Sequence, residues 1–315
     1  MIFTVMLRAI KTRKFPTMHL LLGLILWSPI ALQAREADGL SFAGTKTLRD
    51  LSYVKAGHAR QKLDLYLPAQ KQAPLLVYIH GGGWRGGSKA HVTGLDQIVA
   101  QGFAVASIGY RFSQDAIFPA QIEDCKSAIR WLRAHAADYG YDPARIAAFG
   151  ESAGGHLTAL LATTGSIRDF DKGEHLDQSS AIQCGIDWFG PTDFPGFRPP
   201  NGQPVPQDVG KDSVLGQLFG GPPLEKMELA RRASPVTWVT KTTAPLYIMH
   251  GTLDSLVPLN QSTGLAGKMK EAGVAVTLDV IEGAGHGGPQ FTAGDKPLKM
   301  FEFLNRHLAA NGGGK

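Results

Sequence analysis

Cysteine is nearly absent. Cys125 and Cys184 are the two in a chain of 315 residues. That count excludes a disulfide-dense scaffold, and the pair has no zinc-ligand spacing. Both lie in apolar segments read as core elements, so one disulfide and two buried thiols both stay open. Neither sits on a turn beside an activating base, which argues against a cysteine nucleophile. HExxH and other metal-ligand clusters are lacking, so no metal and no cofactor are expected. The glycine-rich stretch from Gly82 ends Gly87-Ser88-Lys89 and lacks the G-K-[ST] of a phosphate loop. Internal repeats and low-complexity tracts are missing too.

Acidic residues are missing from the start. Residues 1–34 carry Arg8, Lys11, Arg13 and Lys14 and no Asp or Glu. The chain's formal charge of +5 falls to +1 without those four, so no nucleic-acid partner is expected. The same segment reads as a signal peptide: a basic start, an apolar run over about residues 20–32, and small Ala34 at a cleavage position. The run is shorter than the ~20 residues a span needs, and Pro29 interrupts it. No Cys follows for lipid attachment. The expectation is a secreted or periplasmic protein with no stable membrane partner, its working domain covering residues 35–315. Nothing in the sequence sets an oligomeric state.

What is present is glycine, 38 residues of it, and apolar residues at 43% against 19% charged, a soluble globular balance. Residues 62–67 alternate, with Leu63, Leu65 and Leu67 on one face, which predicts a half-buried edge strand. Short apolar runs at 74–79, 103–108, 145–149, 184–189, 245–249 and 274–281 predict strands buried on both faces. Helical spacing marks 118–136, where Ile122, Cys125, Ile129 and Leu132 recur and Pro119 suits the first turn. Residues 152–162, 259–271 and 297–308 are the other helix candidates. Strands alternating with helices predict a mostly parallel, doubly wound α/β sheet flanked by helices. In such sheets the site lies beyond the carboxyl ends of the strands.

Four motifs fall at those ends. Gly150-Glu151-Ser152-Ala153-Gly154 stands between a strand and a helix, the context of a nucleophile elbow. Small residues two before and two after Ser152 relieve crowding at a sharp turn. His80-Gly81-Gly82-Gly83-Trp84 follows another strand, where glycine lets backbone N–H groups approach a developing oxyanion. Gly82, Gly83 and Ala153 are the expected donors, and His80 is read as bracing the loop. His250-Gly251-Thr252-Leu253-Asp254 offers the acid that orients a base, with Asp187 and Asp193 as alternates. Gly283-Ala284-Gly285-His286-Gly287 offers the base. The chain order Ser152, Asp254, His286 is that of α/β-hydrolase triads. Trp84, Tyr110 and Trp188, with Phe112 and Phe189, are candidates for the pocket wall.

Together, residues 80–84, 150–156, 250–258 and 283–287 resemble the hormone-sensitive-lipase and carboxylesterase-like α/β-hydrolases. More narrowly, they look like the bifunctional acetylxylan/feruloyl esterase-like group. The likeness spans roughly residues 54–308. It implies the α/β-hydrolase fold with a small cap or loop insertion, and the Pro- and Gly-rich residues 194–212 are the candidate insertion. It also implies serine-dependent hydrolysis of a small-molecule or polysaccharide ester with a short acyl or aryl group. Three alternatives stay open on the residues alone. One is amide hydrolysis of the kynurenine-formamidase type, which shares an HGG-W loop. The others are a serine peptidase and a non-catalytic binding protein on the same fold.

Overall fold

The computed structural model describes residues 45–197 and 210–309. The leader reading at residues 1–34 and most of the 194–212 stretch lie outside them. Among the described residues eight strands form one sheet in the order β1-β2-β4-β3-β5-β6-β7-β8. These are β1 (Lys46–Ser52), β2 (Lys62–Leu67), β3 (Ala73–Ile79), β4 (Ala104–Ile108), β5 (Tyr141–Glu151), β6 (Cys184–Trp188), β7 (Leu246–Gly251) and β8 (Val276–Ile281). β2 runs antiparallel to β1 and β4, and all other pairings are parallel.

Residues 62–67 form a strand, as their alternation suggests, but not an edge strand. β1 pairs along its outer side, and five of its six residues, Asp64 and Tyr66 among them, are buried. β1 escapes the sequence reading because its register shifts between Leu48 and Leu51, where Asp50 has φ 56°. An extra residue there breaks the alternation that marks a strand. The other predicted strands appear within a few residues of their expected ends. β4, β6 and β7 are buried throughout, as apolar runs covered by helices on both faces should be.

The helices are α1 (Leu95–Ala100), α2 (Ala120–Ala134), α3 (Ala136–Tyr139), α4 (Ala153–Thr163), α5 (Val214–Phe219), α6 (Met227–Ala233), α7 (Asn260–Glu271) and α8 (Lys296–His307). α2 buries Ile122, Cys125, Ile129 and Leu132, the predicted stripe, and Pro119 caps it one residue before the first turn. α4 is apolar on every side and all eleven of its residues are buried. Cys125 and Cys184 are separate buried thiols, both pushed up by burial, the second to about 12.

Topology then positions the site. β4 lies on one side of β3 and β5 on the other, so the chain crosses from β3 to β4 and then back over β3 to β5, reversing direction. A crevice opens at the carboxyl ends of strands where order reverses in this way. Ile79 is level with Gly150, so the glycine loop after β3 and the turn after β5 emerge side by side. Gly251 is level with Ile281, which does the same for the loops after β7 and β8.

Candidate active site

Ser152 sits between β5 and α4 with φ 54° and ψ −118°. An L-residue in that region costs about 1–3 kcal/mol, and it persists where the surroundings over-determine it. Here Ser152 N–H donates to Trp188 O at 2.8 Å, and its own carbonyl starts α4 by accepting from His156 N at 2.9 Å. The turn also needs glycine at 154, because a Cβ there would overlap the carbonyl oxygen of Ile79. The serine hydroxyl is thereby held out above the amino end of an eleven-residue helix, whose dipole favours negative charge.

His286 Nε2 lies 2.9 Å from Ser152 Oγ, and its Nδ1 lies 2.7 Å from Asp254 Oδ2. Asp254 Oδ1 accepts from the backbone N–H groups of Leu256 and Val257, each at 2.9 Å. Two stitches hold the acid and base loops together: Leu253 N to Ala284 O at 2.9 Å, and Gly283 N to Thr252 Oγ1 at 2.9 Å. Burial works to raise the Asp254 carboxyl, but hydrogen bonds from His250 and His286 outweigh it and hold the group well below the usual carboxylate range. Asp254 therefore stays ionised and fixes the proton of His286 on Nδ1, which leaves Nε2 free to accept from Ser152. Neither alternate acid reaches His286. Asp187 Oδ1 accepts from Gly190 N, and Asp193 Oδ1 accepts from Gly196 N.

The glycine loop folds back beside the elbow. Gly82 has φ 108° and Gly83 has φ 60°, and Arg85 N and Gly86 N both close onto Gly82 O. The N–H groups of Gly82, Gly83 and Ala153 have no acceptor among the described residues. Gly82 and Gly83 line the same cavity as Ser152, and Ala153 is the first residue of α4. Unpaired donors gathered beside a nucleophile are what an oxyanion hole requires. His80 is buried and contacts Gly81 O through Nδ1 at 2.8 Å.

The cavity over Ser152 has a volume of about 590 Å³. Of Trp84, Tyr110 and Trp188, only Trp84 lies on its wall. Tyr110 is fully buried, stacks on His80 with centroids 4.5 Å apart, and donates its hydroxyl to His80 O at 2.9 Å. It braces the start of the glycine loop. Trp188 lies one layer below, packed on Phe149 and Phe291. Phe112 also packs on His80 and not on the wall. Phe189 does reach the wall, its ring 4.6 Å from that of His286. Pro191, Phe197, Val214, Leu215, Leu256 and Val257 add to the apolar lining. Strand-end position alone does not separate these groups, because adjacent residues leave a strand end towards opposite faces.

Two histidines matter that the motif reading left without a role. His250, fully buried, donates from Nε2 to Val257 O at 2.8 Å and lies 3.3 Å from Asp254 Oδ2. Its Nδ1 accepts from Ser262 Oγ at 2.7 Å, so one imidazole joins β7, the acid turn and α7. His156 accepts from Trp84 Nε1 at 3.1 Å and donates from Nε2 to Ala233 O at 2.7 Å. It ties the glycine loop, α4 and α6 together. Trp84 itself has φ 57°, so this bond helps hold a strained backbone.

Burial pushes His156 down to about 4, against an opposing backbone hydrogen bond. An unfolded histidine takes up its proton near 6.5. Between those values the unfolded chain binds more protons, so stability is full above about pH 6.5 and is lost as pH falls through 4. His80, also pushed down to about 4 by burial, acts in the same direction. Asp187, pushed up to about 6 by burial, opposes both. Chemical denaturation of wild type and His156→Gln at pH 7 and near pH 4.5 should isolate the His156 part. The variant should lose about 2–3 kcal/mol less than wild type over that interval. Equal losses would show that His156 does not titrate as a buried neutral base.

Comparison with known proteins places the chain among ester hydrolases by sequence and fold. The family model for BD-FAE matches residues 63–269. The probable carboxylic ester hydrolase LipM of Mycobacterium tuberculosis is 33% identical over 230 residues, covering 70% of this chain and 51% of that protein. Esterase LipC of the same organism is 30% identical over 221 residues, covering 69% and 53%. The chain thus spans about half the length of these relatives. Among solved structures, a truncated form of a carbohydrate esterase from gut microbiota superposes with TM-score 0.78 at 29% identity, covering 86% of this chain and all of that one. Thermogutta terrifontis esterase 2 phosphoramylated by tabun superposes with TM-score 0.65 at 26% identity, covering 86% and 98%. The mostly parallel eight-stranded sheet is the α/β-hydrolase fold of these esterases.

Proposed function

The chain belongs to the BD-FAE family, and from that premise we propose that it is a serine carboxylic-ester hydrolase acting through an acyl-enzyme. One observation carries the reading. Ser152, His286 and Asp254 form a continuous hydrogen-bonded chain beside three backbone N–H groups that have no acceptor among the described residues.

His286 Nε2 takes the proton of Ser152 Oγ as the oxygen attacks the ester carbonyl. The C–O π pair moves onto the carbonyl oxygen, which accepts from Gly82, Gly83 and Ala153. Each such donor is worth about 10²–10³ in turnover. The intermediate collapses, the ester C–O bond breaks, and His286 returns its proton to the departing alcohol. Water then gives its proton to His286 and attacks the acyl-enzyme. Collapse breaks the bond to Ser152 Oγ, releases the acid, and His286 returns its proton to Oγ to restore Ser152. Asp254 keeps the imidazole in one tautomer and stabilises the imidazolium in both halves.

The substrate class is a short-acyl or aryl ester, such as an acetylated or feruloylated polysaccharide fragment. Support comes from the apolar cavity wall and from the carbohydrate esterase that shares the fold. Export is part of the proposal and rests on the basic and then apolar pattern of residues 1–34. A panel of acetylated xylan, methyl ferulate and formylkynurenine tests the substrate class. Turnover of either ester with kcat/KM at least tenfold above that of the formamide is the expected result. A preference for formylkynurenine would replace the ester reading with an amidase.

A further inference from the structure

The cavity wall carries two charged side chains among the described residues, Arg85 and Glu151. They are held differently. Glu151 is half-buried and takes the Tyr78 hydroxyl at 3.3 Å, and burial raises its carboxyl above the usual range. Its carboxyl thus meets the Tyr78 hydroxyl. Arg85 is exposed, and its guanidinium makes no ion pair and no hydrogen bond among the described residues.

The backbone under Arg85 is fixed on both sides. Its N–H donates to Gly82 O at 3.2 Å, and its carbonyl accepts from Gln114 Nε2 at 2.9 Å. The preceding carbonyl, that of Trp84, accepts from Ser113 N at 2.8 Å. The Cα of Arg85 therefore stands at a set place, two residues beyond Gly83 on the loop that faces Ser152, and its cation projects from there. The apolar residues Phe197, Val214 and Leu215 line the same cavity. Such walls weaken solvent screening of a charge pair relative to an open surface.

We infer that Arg85 forms an anion subsite of this cavity and binds a carboxylate carried by the ester substrate, on its acyl part or on its alcohol part. The inference rests on the ester-hydrolase reading above and narrows it to esters bearing negative charge. A guanidinium suits this task because its planar N–H pairs match the two oxygens of a carboxylate.

The test compares wild type with Arg85→Gln on three esters. These are para-nitrophenyl acetate, para-nitrophenyl hemisuccinate with the anion on the acyl part, and para-carboxyphenyl acetate with the anion on the alcohol part. The quantity read is kcat/KM for each anionic ester divided by that for the neutral one. One of the two ratios should fall about tenfold in Arg85→Gln, between the effect of an exposed pair and that of a desolvated bidentate one. The ester affected identifies which part of the substrate Arg85 meets. The same ratio should fall with added salt in wild type and stay level in the variant. Ratios that both move less than twofold overturn the subsite.

A second measurement does not depend on turnover. In a Ser152→Ala background, calorimetry gives Kd for the two intact anionic esters with and without Arg85→Gln. Weakening of one by about tenfold supports the subsite, and equal Kd values overturn it. Wild type that hydrolyses none of the three esters would sink the ester-hydrolase reading, while the binding comparison would still decide Arg85.

Discussion

Replacing Ser152 with alanine should lower kcat towards para-nitrophenyl acetate on the order of 10⁶-fold. Nothing else in the cavity can take the place of its Oγ, which alone lies at hydrogen-bond distance from His286 Nε2 among the described residues. The remaining oxyanion donors and binding contacts act on a water attack, which accounts for a residual rate of about 10³–10⁴ over solution. The fold should survive. Ser152 contributes its conformation through backbone hydrogen bonds to Trp188 and His156, and alanine keeps both. The denaturation midpoint of the variant should thus stay close to wild type, and a fluorophosphonate probe should label wild type and not the variant. More than about one per cent residual activity, measured on protein free of wild-type carry-over, would remove Ser152 from the mechanism.

Asp254→Asn should be the second-largest loss, about 10⁴-fold in kcat. The reason lies in what surrounds the carboxylate. All four neighbours are donors: the N–H groups of Leu256 and Val257 on Oδ1, and the imidazoles of His286 and His250 on the Oδ2 side. An amide must present its NH₂ to one of these pairs. With its oxygen kept on the two backbone amides, the NH₂ meets His286 Nδ1. That nitrogen then becomes the acceptor, and the imidazole proton moves to Nε2. Such a histidine cannot take the proton of Ser152. KM should change little, since Asp254 is buried behind His286 and lies off the cavity wall. The split between kcat and KM separates this outcome from general disruption of the loop, which would move both. A fall of less than about tenfold would mean that Asp254 does not set the tautomer.

Much of this arrangement was legible in the residues. The serine, acid and base each sit in a local context that their chemistry demands, and glycine marks the places where backbone must approach backbone. A Cβ at Gly154 would strike Ile79 O, and one at Gly82 would strike Gly86 O. Requirements of that kind are local, and they leave a trace in short motifs. The buried strands were equally visible, because a strand covered on both faces has to be apolar throughout.

Other features left no such trace. β1 is interrupted by an irregular residue at Asp50, so its pattern does not repeat. His156 and His250 looked like ordinary histidines, since their partners Trp84, Ala233 and Ser262 are distant in sequence or on another element. Among the aromatic residues Tyr110 and Trp188 stood as plausibly on the wall as Phe189. Packing put the first under His80 and the second under Phe189 and Phe291.

The sequence by itself determined the fold class and the identity of the three hydrogen-bonded residues, because residue type and local turn geometry are enough to specify them. The tertiary structure decided which side chains face the cavity and which lie one layer beneath it. It also decided that Arg85 stands on the wall without an acidic partner among the described residues, while Glu151 meets the Tyr78 hydroxyl. Those outcomes depend on contacts between loops that leave different strands. Periodicity reports the face of an element on which a residue lies, and only packing decides what that face meets.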